Sequence, residues 1–177
     1  MHRLFVALRP PAEIRRQLLD SMGGIANARW QNDAQLHITI RFVGEVDRHA
    51  AEDIAAALGH IHHPRFAIAL DGVGQFDKRG RVDNLWVGVT PHAPLKTLHN
   101  KVDQALRQVG IAPEKRVFLP HITIARFGRL PGPMAGFMAE AGGLRSAPFT
   151  IHAFSLFESH LTQDGSVYEL IADYPLD

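Results

Sequence analysis

The chain has 177 residues and a mass of 19.6 kDa, with 46% hydrophobic and 21% charged residues, the balance of an ordinary globular protein. That composition excludes intrinsic disorder, collagen-like repeats and a disulfide-built miniprotein, and the absence of cysteine removes any thiolate nucleophile and any cysteine-based metal site. The formal net charge is only +1, short of a bulk nucleic-acid binder, although 15 of the 19 cationic residues are Arg, whose rigid fork of donors suits phosphate.

No apolar run approaches the roughly 18 residues of a membrane span. The opening Met1–Arg9 is too short an apolar stretch for a signal peptide. A cytoplasmic location is expected.

Leu4–Leu8 reads as a strand. Pro10-Pro11 opens a helix with Ile14, Leu18 and Met22 on one face, stopped by Gly23-Gly24. A second strand is expected over Leu36–Val43, followed by a helix capped by Asp47 that carries Ile54 and Leu58 to Gly59. Phe66–Leu70 is a third strand, and Asp71–Arg81 reads as a glycine-rich, charged turn region.

The order then returns. Leu85–Thr90 is a strand, and a helix from Pro94 places Leu95, Leu98, Val102, Leu106 and Val109 on one face before Gly110. His121–Arg126 is a strand, Pro133 starts a short helix with Met134, Phe137, Met138 and Ala141, and Phe149–Phe157 is a long strand. Val167–Asp173 pairs with it across Gln163-Asp164-Gly165. Strand–helix–strand–helix–strand thus occurs twice, about 80–85 residues apart. The expected fold is α+β and duplicated, a single domain of two lobes (about 1–80 and 81–177). Each lobe is a mainly antiparallel sheet with helices on its outer face, related by a pseudo-two-fold axis around a central cleft.

The centre of each half carries the same tetrapeptide, His37-Ile38-Thr39-Ile40 and His121-Ile122-Thr123-Ile124, 84 positions apart. With 11 His and 6 Thr in the chain, His-x-Thr alone is expected about 0.4 times by chance, so two identical copies in register are far rarer. Alternation puts His37 and Thr39 on one strand face and Leu36, Ile38, Ile40 and Phe42 on the other, apolar one. His121 and Thr123 look out in the same way. Two imidazoles and two hydroxyls around one volume suit the opening of a cyclic phosphodiester: one His as base for water, one as acid for the leaving alkoxide, hydroxyls and a guanidinium for the phosphoryl oxygens.

Two His-x-Thr-x motifs in a duplicated chain of this length resemble the 2H phosphoesterase superfamily. The runs "RLFVALRPPAEIRRQL", "LHITIRFVGEV", "LPHITIARF" and "SLFESHLTQDGSVYELIADYPL" resemble its RNA 2′,3′-cyclic phosphodiesterase branch, the LigT-like family also called 2′-5′ RNA ligase. That resemblance implies His37 as proton donor to the departing 3′ oxygen and His121 as proton acceptor from water. It implies Thr39, Thr123 and Arg126 as phosphate ligands and an RNA end bearing a 2′-phosphate as product. No metal and no cofactor is implied. The expected partners are RNA ends or small nucleotides with a 2′,3′-cyclic phosphate, met by a monomer with no membrane association. Ligation by a 2′-5′ linkage is the formal reverse. A small-molecule cyclic phosphodiesterase and a non-catalytic RNA-binding module remain alternatives.

Simple alternation puts Arg126 on the face opposite His121, so a bulge or strand end has to re-aim it. Arg41, in phase with His37 and Thr39, is the substitute phosphate ligand if alternation holds. His60, His62 and His63 read as a solvated loop, His99 as an ordinary polar helix position, and Lys78-Arg79-Gly80-Arg81 as a solvated hairpin tip. Trp30 and Phe42 are candidates for stacking on a base at the cleft rim, and Trp86 for core packing.

Overall fold

The computed structural model describes all 177 residues. In chain order the strands and helices are β1 (His2–Leu8), α1 (Ala12–Ser21), β2 (Ala28–Trp30), β3 (Ile38–Val46), α2 (Arg48–Leu58), β4 (Phe66–Lys78), β5 (Arg81–Thr90), α3 (Ala93–Gln108), β6 (His121–Phe127), α4 (Ala135–Ala141), β7 (Phe149–Ile151), β8 (Ala153–Thr162) and β9 (Gly165–Pro175). No helix is long and apolar enough to cross a membrane.

All nine strands belong to one curled antiparallel sheet in the order β7-β4-β5-β6-β3-β1-β8-β9, with β2 added against β6. Its two halves are joined at a single pair, Ile38 with Ile122. The fold is α+β and two-lobed, as expected, but the halves of the sheet are not the halves of the chain. β4 from the first repeat pairs with β5 of the second, and β8 of the second pairs with β1 of the first. The cause is local. Arg79 (φ 54°) and Gly80 (φ 75°) form a two-residue turn of the kind that suits the twist of a hairpin, and it ties β4 to β5.

Two expected strands change and one unexpected strand appears, each for a physical reason. Asp71–Lys78 is strand rather than turn, because Gly72 (φ 80°) sits at a bulge and Gly74 leaves room for the ring of Trp86. The long strand expected at Phe149–Phe157 breaks at His152, where the chain leaves β4 and crosses to β1. β2 is too short to announce itself by pattern and forms because β6 offers it an edge.

The main core lies between one face of the sheet and the helices, and includes Leu4, Val6, Leu8, Ile38, Ile40, Leu85, Val87, Ile122 and Ile124 beside Leu18, Ile54, Leu98 and Leu106. Burial of each such side chain stabilises by roughly 1.5–3 kcal/mol. Phe5, Ala7 and Phe157 form a small cluster of their own, packed by Tyr168. They alternate with core residues and line the other, concave face of the sheet.

Candidate active site

The single ladder pair between the two sheet halves sits inside the repeated tetrapeptide. Antiparallel pairing of Ile38 with Ile122 sets His37 against Thr123 and Thr39 against His121. All four side chains line one cleft of about 360 Å³ on the concave face, together with Arg126, Arg3, Phe5, Phe42 and Tyr168.

The two imidazoles are held alike. His37 Nδ1 donates to the carbonyl of Gln35 at 2.7 Å, and His121 Nδ1 donates to the carbonyl of Leu119 at 2.6 Å, in each case two residues back. Both Nε2 atoms are thereby left for the cleft, and His37 Nε2 accepts from the Thr39 hydroxyl at 2.9 Å. The segment before His37 is itself pinned. Asn32 and Gln35 form a reciprocal capping box, Arg9 donates to the carbonyls of Asp33 and Leu36, and Gln35 Nε2 donates to the Ser166 carbonyl.

Each imidazole is also packed between two aromatic rings from distant strands. Phe5 and Tyr168 flank His37 at 5.1 and 5.2 Å, and Phe76 and Trp86 flank His121 at 5.0 and 5.9 Å. Burial pushes the His37 imidazole down to about 4, helped by the positive charges of Arg126 and Arg9 and by His121, and opposed by the bond to Gln35. Burial and Arg126 push His121 down as well, against the bond to Leu119.

Arg126 reaches the cleft because of a bulge. Leu85 pairs with Ala125 but Trp86 pairs with Thr123, so Ile124 is an extra residue and the phase of β6 reverses after it. The equivalent bulge occurs at Ile40, since Ala7 pairs with Thr39 and Val6 with Arg41. There it carries Arg41 to the helix face, where it is 5% exposed and Nε donates to Asp103 Oδ1 of α3 at 2.9 Å. Arg41 is therefore not available to a phosphate. Phe42, which simple alternation puts on the apolar face but which is also a candidate for the cleft rim, is half-exposed and lines the cleft. His99 of α3, expected as an ordinary polar position, is buried and donates Nδ1–H to the carbonyl of the bulged Ile40 at 2.7 Å. One helix thus holds the bulge by two bonds.

Trp86 flanks His121 on the cleft side rather than filling the core, and Trp30 packs on Phe137 instead of a cleft rim. Of the three loop histidines, His63 is buried and donates to the Pro64 carbonyl, and His60 and His62 are exposed. The flanking Phe76 and Tyr168 carried no readable signal. Nothing in their local sequence marks a cleft residue.

The model of the 2′-5′ RNA ligase superfamily matches residues 8–163. This chain belongs to that superfamily. It is 34% identical to an RNA 2′,3′-cyclic phosphodiesterase of Aeropyrum pernix over 143 residues, 78% of this chain and 81% of the other. It is 29% identical to an RNA 2′,3′-cyclic phosphodiesterase of Archaeoglobus fulgidus over 170 residues, 94% of this chain and 96% of the other. The crystal structure of Escherichia coli LigT complexed with 3′-AMP superposes with a TM-score of 0.77 at 26% identity, covering 99% of this chain and 98% of that one. Superposition over almost the whole length extends the likeness across both halves of the sheet.

Proposed function

We propose that the chain is an RNA 2′,3′-cyclic phosphodiesterase that opens the cyclic phosphate to a 2′-phosphate end by paired imidazole catalysis. The observation that carries this reading is the convergence of both His-x-Thr pairs and Arg126 on one cleft. Water attacks phosphorus while its proton passes to Nε2 of His121. The bond from phosphorus to the 3′ oxygen breaks, and Nε2–H of His37 supplies the proton that this oxygen takes up. Thr39, Thr123 and Arg126 donate to the phosphoryl oxygens, whose charge grows as the new bond forms. Side chains supply the acid, the base and the anion donors, so the reading assigns no step to a metal or a cofactor. Monomeric, cytoplasmic operation belongs to the same proposal, and 2′-5′ ligation is its reverse.

In the free chain both imidazoles are depressed, so His37 is neutral near pH 7. The substrate phosphate supplies the counter-charge that favours its protonation, and the Thr39 hydroxyl is free to turn from Nε2 to a phosphoryl oxygen. The deeper depression of His37 also supports a second reading with the roles exchanged, His37 as base and His121 as acid. The test is an oligonucleotide ending in 2′,3′-cyclic phosphate, incubated with EDTA, followed by identification of the product end. A 2′-phosphate is the expected product. A 3′-phosphate would favour the exchanged roles, and loss of turnover on chelation, restored by a divalent ion, would overturn the metal-free mechanism.

A further inference from the structure

Arg29 lies directly opposite Arg126 across the β2–β6 pair. Its neighbours Ala28 and Trp30 pack against the core, so alternation turns Arg29 to the concave face that carries the cleft. Both arginines are exposed, and neither has a carboxylate within ion-pairing distance. Like charges directly opposite one another in a sheet repel, and here no acidic side chain relieves the pair. Arg126 acts electrostatically on both imidazoles, and Arg29 stands beside it on the next strand along the same face. The row continues on the other side of Arg126 with Asn84, which is buried and whose Oδ1 has no hydrogen-bond partner.

Two unpaired guanidinium forks side by side are an arrangement that an anion stabilises, and each fork matches phosphate geometry. The inner one meets the reacting phosphate. We propose that Arg29 is a subsite for the phosphodiester one nucleotide upstream of the reacting cyclic phosphate, which makes an oligonucleotide end a better substrate than a cyclic mononucleotide. This rests on the cyclic-phosphodiesterase reading above. Directly opposed residues have Cβ atoms about 5 Å apart, and the long arginine side chains extend the span toward that of neighbouring phosphates on a strand.

The experiment compares wild type with Arg29→Ala and Arg29→Lys on two pairs of ligands. The reactive pair is a dinucleotide and a mononucleotide, each ending in 2′,3′-cyclic phosphate. The inert pair is a 3′-phosphorylated dinucleotide and mononucleotide, followed by equilibrium binding. Arg29→Ala is expected to lower the dinucleotide-to-mononucleotide ratio about tenfold in both kcat/KM and affinity, and to reduce the salt slope of dinucleotide binding by about 1. Arg29→Lys should restore part of the ratio, because ammonium keeps the charge and loses the fork. Because Arg29 is exposed on a three-residue strand, its replacement leaves the core untouched. Ratios equal to wild type in both pairs would overturn the subsite. Absence of turnover on either cyclic phosphate, with the binding ratio still falling in Arg29→Ala, would overturn the hydrolytic reading and leave the subsite standing.

Discussion

Arg41 and Arg126 each open an Arg-Phe dipeptide after the same His-Ile-Thr-Ile, yet they point to opposite faces of the sheet. The dipeptide starts one residue later in the second copy, behind Ala125, and both strands bulge at the last Ile of the tetrapeptide. A one-residue offset turns every following side chain over. Arg41 is consequently in and Phe42 out, whereas Arg126 is out and Phe127 in. Arg126→Ala should therefore lower kcat and raise KM together, by roughly 2–4 kcal/mol of transition-state stabilisation, with Arg126→Lys recovering only part. Steady-state kinetics on a cyclic phosphate decides it. Wild-type behaviour of Arg126→Ala would remove it from the site.

The buried counterpart behaves differently. Burial pushes the Asp103 carboxyl up, but the Arg41 bond, the Glu114 N–H and the nearby charges outweigh this and hold it below its ordinary value. Asp103→Ala strands the Arg41 guanidinium and should cost about 3 kcal/mol of folding stability. Urea denaturation measures the loss, and a midpoint unchanged from wild type would refute the coupling.

For the histidines the expected loss is kinetic. His37→Ala and His121→Ala should each lower turnover by a factor of about 10²–10⁴ with the fold intact. The double variant should be little worse than either, since acid and base act as a unit. Near-native turnover in either single variant would discard that residue's role.

The pH dependence has a definite sign. His37 titrates at 6.5 when unperturbed and at about 4 in the folded chain. Between these values the unfolded chain binds the proton and the folded chain does not, so this contribution to stability is present above pH 6.5 and lost as the pH falls toward 4. Lowering the pH from about 7 to about 5 should reduce the urea midpoint, less so in His37→Asn. For activity, kcat/KM reports the free imidazoles and should peak on the acid side of 6.5, with the kcat profile displaced upward by the bound anion. A kcat/KM optimum well above neutrality would contradict the depressed imidazoles.

Gly74 supplies a test of second-layer support. A Cβ there would lie 2.3 Å from the Trp86 ring, and that ring packs on His121. Gly74→Ala should push Trp86 aside, change its fluorescence in a Trp30→Phe background and lower kcat. An unaltered spectrum with unaltered kcat would mean that the ring has room to spare.

The repeated tetrapeptide was legible because period-two alternation is local: His37, Thr39, His121 and Thr123 share a face whatever their strands pair with. The apolar positions of α2 and α3 with their stops by Gly59 and Gly110, the Ile14 and Leu18 face of α1, and the twofold order of elements were legible for the same reason, although α1 ends at Ser21 and leaves Met22 extended beyond it. Local pattern carries no information about partners. Only the tertiary structure decided that β4 joins the second half of the sheet and that Phe5, Phe76, Trp86 and Tyr168 close around the imidazoles. It also decided that Arg29 comes to stand beside Arg126. The bulges at Ile40 and Ile124 belong to this second group. A bulge is a mismatch between two strands and exists only once both are present, so the choice between Arg41 and Arg126 was made by pairing with β1 and β5, not by the residues of the motif themselves.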